Sequence, residues 1–505
     1  MKKYVAIILG IIVSIAFAMP AAAAPKEDRT VFTIVFKSES TPKGANKLIT
    51  DLGGEIVYEV PEIGLVQVKA PASFGKKAIA NASISAVNPS LIYEMPSVKS
   101  IASGASSLDV SSPDKEDVIP QSARYFDEYQ WDIKRLTNNG ATFATHSGNH
   151  DVVVGIIDSG IDLNHPDVLK NLLDGSKNFV PEGGVYGVDE SEAGILSDVQ
   201  DRNGHGTHVA GSIAGNGSML GVAPNVGIKA YRVFGAEGGA YSAWIMAAII
   251  QAANDHVDVI NMSLGGIYSK GGVYLVDQET GERTRLGSDI AEYIAYKRAV
   301  TYAEKNGTLI VTAAGNDATD ASSKKNVTEL ANELYGELGY EFQGASVYAP
   351  ASLPNVVTVS ATGPQDELAV YSNYGAGYVD VAAPGGNYDL ELEYLARGKH
   401  DDYILDGLYA EEYAFSSVPV VEYTTNSDGL VTGYTYVRPG YSWYVGTSMA
   451  APKVAAMAAL IYDEYDGITP QKAKVMLRKH AEDIGKRGTD KQFGHGLPTV
   501  PSLFK

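Results

Sequence analysis

From Val118 onward the apolar positions gather into short runs separated by longer, periodic stretches. The runs are VVVGII (152–157), VGIKAYRVF (226–234), VDVINMS (257–263), TLIVTAA (308–314), NVVTVSA (355–361) and YVDVAA (378–383). They are rich in Val and Ile and do not alternate with polar residues, the pattern of strands buried on both faces of a parallel sheet. Between them, YSAWIMAAIIQAANDH and DIAEYIAYKRAVTYAEKNG carry a helical period. Alternation of this kind predicts an α/β fold with a doubly wound, mainly parallel sheet. Its functional site is expected at the carboxyl ends of the strands.

A different pattern fills residues 30 to 96. TVFTIVF reads as a strand and PKGANKLITDLG as a helix, and EIVYEV and GLVQVKA are strands joined by the turn PEIG. A short helix over Lys76 to Ala82 and a strand at ISAVNPSLIYEM complete the order β-α-β-β-α-β of a small α+β, ferredoxin-like unit. SVKSIASGASSLDVSSPDKEDV (97–118) is Ser-rich and aperiodic, which predicts an exposed linker open to proteolysis. The N-terminus has Lys2 and Lys3, an apolar run from Val5 to Met19 and then AAAA, the order of a secretory signal peptide. That run is shorter than the roughly 20 apolar residues a membrane span needs. The expected divisions are 1–24 signal peptide, 25–100 small unit, 101–120 linker with the maturation site, and 121–505 the α/β domain. A secreted, extracellular product without a membrane segment is expected.

Composition removes several function classes. The 505 residues carry a formal net charge of −20, which argues against a nucleic-acid or anionic-membrane surface. There is no cysteine, so disulfides, thiolate metal sites and cysteine nucleophiles are excluded.

Three polar motifs adjoin the predicted strand ends. In IIDSGID, Asp158 ends a buried run, where an aspartate before Ser-Gly also suits a turn. In DRNGHGTHVAGSIAG, His205 opens a helix of small residues. His205 and His208 have a spacing that suits zinc, but HExxH, cysteine and a nearby acidic ligand are all missing. In YVGTSMAAPKVAAM, Ser448 sits among the smallest residues at a helix start. Thr447 or Ser448 would serve there as a helix cap, or Ser448 as a nucleophile kept uncrowded for a substrate backbone.

Together IIDSGID, NGHGTHVAG and VGTSMAAPKVA resemble the three signature blocks of the subtilisin-like serine proteases (subtilases), in the order Asp…His…Ser. The likeness covers roughly Gln121 to Pro501. It implies a secreted serine endopeptidase in which Ser448 attacks a peptide carbonyl, His205 moves the proton and Asp158 orients the imidazole. It also implies that Asn316, in VTAAGND, and the Ser448 backbone N–H stabilise the oxyanion. By the same resemblance Ser263, Leu264 and Gly265 pair with an extended substrate strand, and Ala313, Ala314 and Gly315 wall the pocket before the cut. Residues 30–96 become an inhibitory propeptide, a partner besides protein and peptide substrates. Its linker is cut by Ser448 itself or by another protease.

The chain departs from the family in three insertions, at about 267–288, 317–347 and 386–442. The first reads as a hairpin turning at Thr280-Gly281, and the last is rich in Tyr, Asp and Glu. They either rim the cleft or decorate the surface. Similar insertions mark the lantibiotic leader peptidases, which makes a leader-specific processing subtilase the alternative to a general endopeptidase. No cofactor is required by the chemistry. Asp167 matches one carboxylate of the family's calcium site and Gln121 a further ligand, but IAGNGSMLGVAP is shorter than the loop that wraps that ion. The acidic insertions offer oxygen ligands without a spacing that singles out a calcium site. An α/β-hydrolase esterase would need G-x-S-x-G, and Ala450 replaces its last Gly. An inactive binding protein on this scaffold would lack a triad member, and none is missing.

Overall fold

The computed structural model describes residues 29–95, 99–101, 108 and 123–505. The predicted signal peptide, most of the linker and Gln121 therefore lie outside the described residues. In the small unit, strands β1 (Arg29–Phe36), β2 (Glu55–Val60), β3 (Leu65–Pro71) and β4 (Ile84–Pro89) form an antiparallel sheet in the order β2-β3-β1-β4. Helices α1 (Ala45–Asp51) and α2 (Phe74–Ile79) complete the unit. The apolar positions on one side of the pleat, such as Phe32, Ile34, Val66 and Val68, close over Phe74 and Ile49.

ISAVNPSLIYEM does not stay one strand. It breaks after Pro89, and β5 (Ile92–Glu94) leaves the small sheet to pair with another part of the chain. The sequence also places Lys99–Ile101 at the start of the exposed linker, yet these residues form strand β6. Strand addition uses main-chain groups, so a Ser-rich segment gives no side-chain signal of it.

The rest of the chain supplies β7 (Val153–Asp158), β8 (Lys177–Asn178), β9 (Gly227–Arg232), the short β10 (Gly239–Tyr241), β11 (Val259–Met262), β12 (Leu309–Ala313), β13 (Val356–Thr362) and β14 (Val381–Pro384). All but β10 join one parallel sheet in the order β14-β13-β12-β11-β7-β9-β8. The strand order runs outward both ways from β7 and β11, so crossover helices cover both faces. One face packs on α3 (His205–Ala214) and on a long helix near the C-terminus, Thr447–Glu464. The other packs on α4 (Ser242–Asn254) and α5 (Ile290–Lys305). The small unit lies on α4 and α5, where Val60, Leu65 and Ala86 join the core of that face.

Residues 272–276 and 283–287 form the hairpin read from the sequence, and residues 340–343 of the next insertion add a third strand. A helix, α6 (Lys324–Tyr335), precedes that strand. The last insertion holds three short helices, Asp389–Ala396, His400–Leu405 and Tyr409–Glu412. It ends in the long hairpin β15 (Ala414–Thr425) and β16 (Val431–Val445), which runs directly into α7 (Thr447–Glu464). Among the described residues no helix is long and apolar enough to cross a membrane.

α7 is buried from Thr447 to Ile461, and one charge goes with it. Lys453 Nζ lies 2.7 Å from Asp132 Oδ2, with both side chains at most 1% exposed, and donates to the carbonyls of Met449 and Pro384. Among the described residues no other donor reaches that carboxylate. Breaking a buried pair leaves one uncompensated charge, which costs about 3–5 kcal/mol, whereas removing both charges is often neutral. Asp132→Ala is therefore expected to lower the free energy of unfolding by about 3–5 kcal/mol, and Asp132→Ala with Lys453→Met to recover most of it. Urea melts of the two proteins measure this. Equal loss in both would show that packing, not the charge, matters there.

Candidate active site

β7 ends at Asp158, and α3 begins with His205 at the same end of the sheet. The Asp158 carboxylate accepts from His205 Nδ1 at 2.8 Å and from the Ser159 N–H at 2.7 Å. Both side chains are 1% exposed. His205 Nε2 is buried and has no hydrogen-bond partner. Burial alone would push the imidazole's pKa down, but the Asp158 charge and hydrogen bond, reinforced by Asp201, outweigh it and hold it above the ordinary histidine value.

Asp201 was not singled out by the sequence, and it ties these elements together. It is fully buried. One oxygen accepts from Ser159 Oγ and the N–H groups of Asn203 and Gly204, each at 2.9 Å. The other accepts from the Thr207 N–H at 2.9 Å and its hydroxyl at 2.6 Å. Helix starts leave N–H groups unpaired, and Gly204 offers no side chain to cap α3. Asp201 performs that service from outside the helix. An aspartate before Asn-Gly also reads as an ordinary turn former, which hid it.

Ser448 occupies the first turn of α7, and the capping alternative does not hold. The N-cap position is Gly446, without a side-chain cap. The Thr447 hydroxyl donates to Asn316 Oδ1 at 2.8 Å and accepts from the Gly315 N–H at 3.1 Å. Ser448 Oγ donates to the Ser263 carbonyl at 3.1 Å rather than to His205. Pro452 lacks the N–H that would bond the Ser448 carbonyl four residues back. Ser263 Oγ supplies that donor instead, at 2.7 Å. α7 and α3, which begin with Thr447 and His205, pack against each other.

Asn316 follows β12 and is half-buried. Its Oδ1 accepts from the Thr447 N–H (2.9 Å) and hydroxyl, so its amide N–H₂ faces away from Thr447. Gly315 has φ +102°, and a Cβ there would meet Asn373 Nδ2 at 2.3 Å, so only glycine fits before Asn316. Ala313 and Ala314 are buried at the end of β12, and the Ala314 carbonyl accepts from Tyr378 at 2.6 Å. Ser263, Leu264 and Gly265 lie between β11 and the strand Gly266–Ser269, and Leu264 is buried.

A strand of the small unit passes next to Gly266, where a Cβ would meet the Tyr93 ring at 2.5 Å. β5 pairs antiparallel with β10, with Tyr93 opposite Ala240, and the Met95 N–H donates to the Gly238 carbonyl at 2.8 Å. Tyr93 packs against Tyr268 and Tyr296, at 5.7 and 6.5 Å between ring centroids. β6 then pairs with β16, Lys99 opposite Val445, three positions before Ser448. The sequence reading missed β10, whose glycine-rich GGAY carries no polar group to mark it.

His208 is a packed helix residue, stacked on Tyr444 at 4.4 Å with Nε2 against the Ala414 carbonyl at 3.2 Å. Burial, then the Lys453 charge, pushes it well below the ordinary histidine value. Gly211 on the same helix admits β15, since a Cβ there would meet the Ser416 and Ser417 hydroxyls at 2.3 and 2.4 Å. Asp167 is met by the N–H groups of Ser218 and Met219 and by the Tyr441 hydroxyl. That donor set satisfies a carboxylate and does not fit a cation. Among the described residues no group of three or more His, Asp or Glu is arranged to hold a metal ion.

The sequence model of the subtilase family matches residues 149–496. The epidermin leader peptide-processing serine protease EpiP of Staphylococcus epidermidis is 29% identical over 510 residues, with all of both chains covered. The nisin leader peptide-processing serine protease NisP of Lactococcus lactis is 34% identical over 74% of this chain and 49% of its own. The crystal structure of EpiP from Staphylococcus aureus superposes with a TM-score of 0.72 at 31% identity, covering 94% of this chain and 98% of that one.

The His205 imidazole is expected to titrate in an NMR experiment with a midpoint above about 6.5, the ordinary histidine value. Asp201→Asn removes one of the charges that raise it and should bring the midpoint down. A midpoint unmoved by that change would leave Asp201 a helix-start anchor without electrostatic reach to His205.

Proposed function

The chain belongs to the subtilase family of serine peptidases, and on that premise we propose that it is an exported endopeptidase that processes a peptide substrate at the end of its leader. The observation that carries the reading is the Asp158–His205 pair with its free, buried Nε2, on a helix that packs against α7. In the proposed step Ser448 Oγ attacks the peptide carbonyl carbon while its proton passes to His205 Nε2. The Asn316 amide N–H₂, turned outward by the Thr447 contacts, donates to the oxyanion. The tetrahedral species then expels the amine, which takes the proton from His205 and leaves an acyl group on Ser448. Water, deprotonated by the same imidazole, releases the acid. Leader processing draws support from the full-length match to the epidermin enzyme, insertions included. Export draws support from the Lys2–Lys3 start and the Val5–Met19 run.

A serine-directed sulfonyl fluoride should label Ser448 and abolish casein hydrolysis. Asn316→Ala should lower kcat by about 10²–10³ with little change in KM, a magnitude carried over from subtilisin itself. Loss in KM with kcat intact would give Asn316 a ground-state role, and casein hydrolysis by Ser448→Ala would end the triad reading.

Residues 30–95 act in this reading as the inhibitory propeptide. What supports it is the substrate-like course of β5 and β6 and a second, buried anchor on α5. Glu292 is fully buried, meets the Asn88 amide with one oxygen, and accepts from the Leu91 N–H at 3.4 Å. The Ala291 N–H returns a bond to Asn88 Oδ1 at 2.9 Å. Burial pushes Glu292 up to about 8, and the nearby Asp289, itself at about 7, adds to the effect. Tyr93 is the other titratable group facing it. A carboxyl whose pKa is raised in the complex favours that complex at low pH, and the gain is lost as pH rises through the bound value. The propeptide should therefore bind progressively more weakly between the ordinary glutamate range and pH 8, most steeply midway between them and levelling off above pH 8. Inhibition constants measured from pH 5 to 9 check this, and a slope unchanged in Glu292→Gln would assign it to another group.

A further inference from the structure

β6 brings one side chain into a pocket that the rest of the site does not use. The Lys99 ammonium lies 2.5 Å from Glu391 Oε2 and 4.8 Å from the centre of the Tyr388 ring. Glu391 is 5% exposed, so an ionised carboxylate there needs partners. Its other contacts are the Tyr413 hydroxyl at 2.7 Å and His400 Nε2 at 3.0 Å. Burial by itself would push Glu391 up, but the Lys99 ammonium and Tyr413 hydroxyl, with His400, outweigh it and hold it below the ordinary value. The Tyr388 ring stacks on Tyr371 at 5.6 Å, which fixes the face it shows to the ammonium. All four residues, Tyr388, Glu391, His400 and Tyr413, belong to the 386–442 insertion, and Lys99 itself pairs with Val445 of β16, three positions before Ser448.

We infer that Glu391 and Tyr388 form a specificity site for a basic side chain of the substrate, on the leaving-group side of the cleaved bond. The inference rests on the proposed peptidase reading, in which β5 and β6 follow the substrate's course. Among the described residues Met95 makes the last contact on β10 and Lys99 the first on β16, and in this reading the bond cut falls between them. The residue opposite Val445 is then one to four positions past the cut. Main-chain pairing along β16 supplies register without selectivity. The buried carboxylate supplies selectivity, because a neutral or acidic side chain there leaves its charge uncompensated. In a leader-processing enzyme this pocket reads the released product rather than the leader.

The test uses active enzyme from the full chain, with casein as reporter and peptides LIYEMPSVKSIASG (residues 91–104) as competitors, so that binding registers whether or not a peptide is cut. Because the Lys99 stem is about one-third exposed, solvent screens the pair. Replacing that lysine by Ala should raise the apparent Ki about tenfold, Glu should raise it further, and Arg should keep it within a few-fold. In Glu391→Gln the Lys-to-Ala ratio should collapse towards one. Equal Ki values for the Lys and Ala peptides on the native enzyme would overturn the inference while leaving the peptidase reading intact. So would a lysine preference that survives in Glu391→Gln. Failure of the sulfonyl fluoride to label Ser448 in the native enzyme would instead sink the peptidase reading, and this inference with it.

Discussion

The whole site hangs on a carboxylate that touches no substrate. Asp201 is buried, and an ionised carboxylate out of water is costly unless its lone pairs are filled. Five donors fill them, from Ser159 after β7, from the turn at Asn203 and Gly204, and from Thr207 in the first turn of α3. Because the donors come from two elements, the register of β7 against α3 is set to within a hydrogen-bond length. Asp158 and His205 sit one residue inside that clamp on either side. A one-residue slip would strand a buried charge and separate Asp158 from His205 together, so the contact is specified by the stability of its neighbour.

The nucleophile helix shows the same logic from the other direction. Pro452 deprives the Ser448 carbonyl of its helical donor, and Ser263 from the end of β11 replaces it. The Thr447 hydroxyl links Asn316 and Gly315 to the same turn. Two segments, the ends of β11 and β12, therefore converge on the start of α7 through bonds that the helix cannot make for itself. Small residues at 446–448, 450 and 451 are what allow that convergence, since a bulky side chain there would hold the neighbouring strands away.

Which features were legible in the sequence follows from how local their cause is. Runs such as VVVGII and TLIVTAA declare buried parallel strands because the burial acts on each residue directly. Asp158 and His205, which the structure pairs, stand out in the sequence because each lies inside a motif whose neighbours are also constrained. Asp201 could not be isolated, since its role depends on Ser159, more than 40 residues away. Nor could β5 and β6, because their partners β10 and β16 are chosen by backbone groups common to all residues. Glu391 looked like one acid among many in an acidic insertion. Only the fold shows that it is buried and that most of its neighbours, such as Glu422, are not.

Two buried glutamates then act in opposite senses on the same segment. Glu292 faces the neutral Asn88 amide, so burial dominates and its carboxyl is held towards the protonated form. Glu391 faces the Lys99 ammonium, and the charge contact overcomes a similar burial to favour the ionised form. Rising pH therefore loosens the grip on the body of the small unit while leaving the grip on its tail unchanged, since Glu391 is already ionised. In the proposed reading the tail is also the part whose contacts an incoming basic peptide can reproduce, through β16 and Glu391. Release of the body and exchange of the tail would then be separable events, the first answering to proton concentration and the second to competition by substrate.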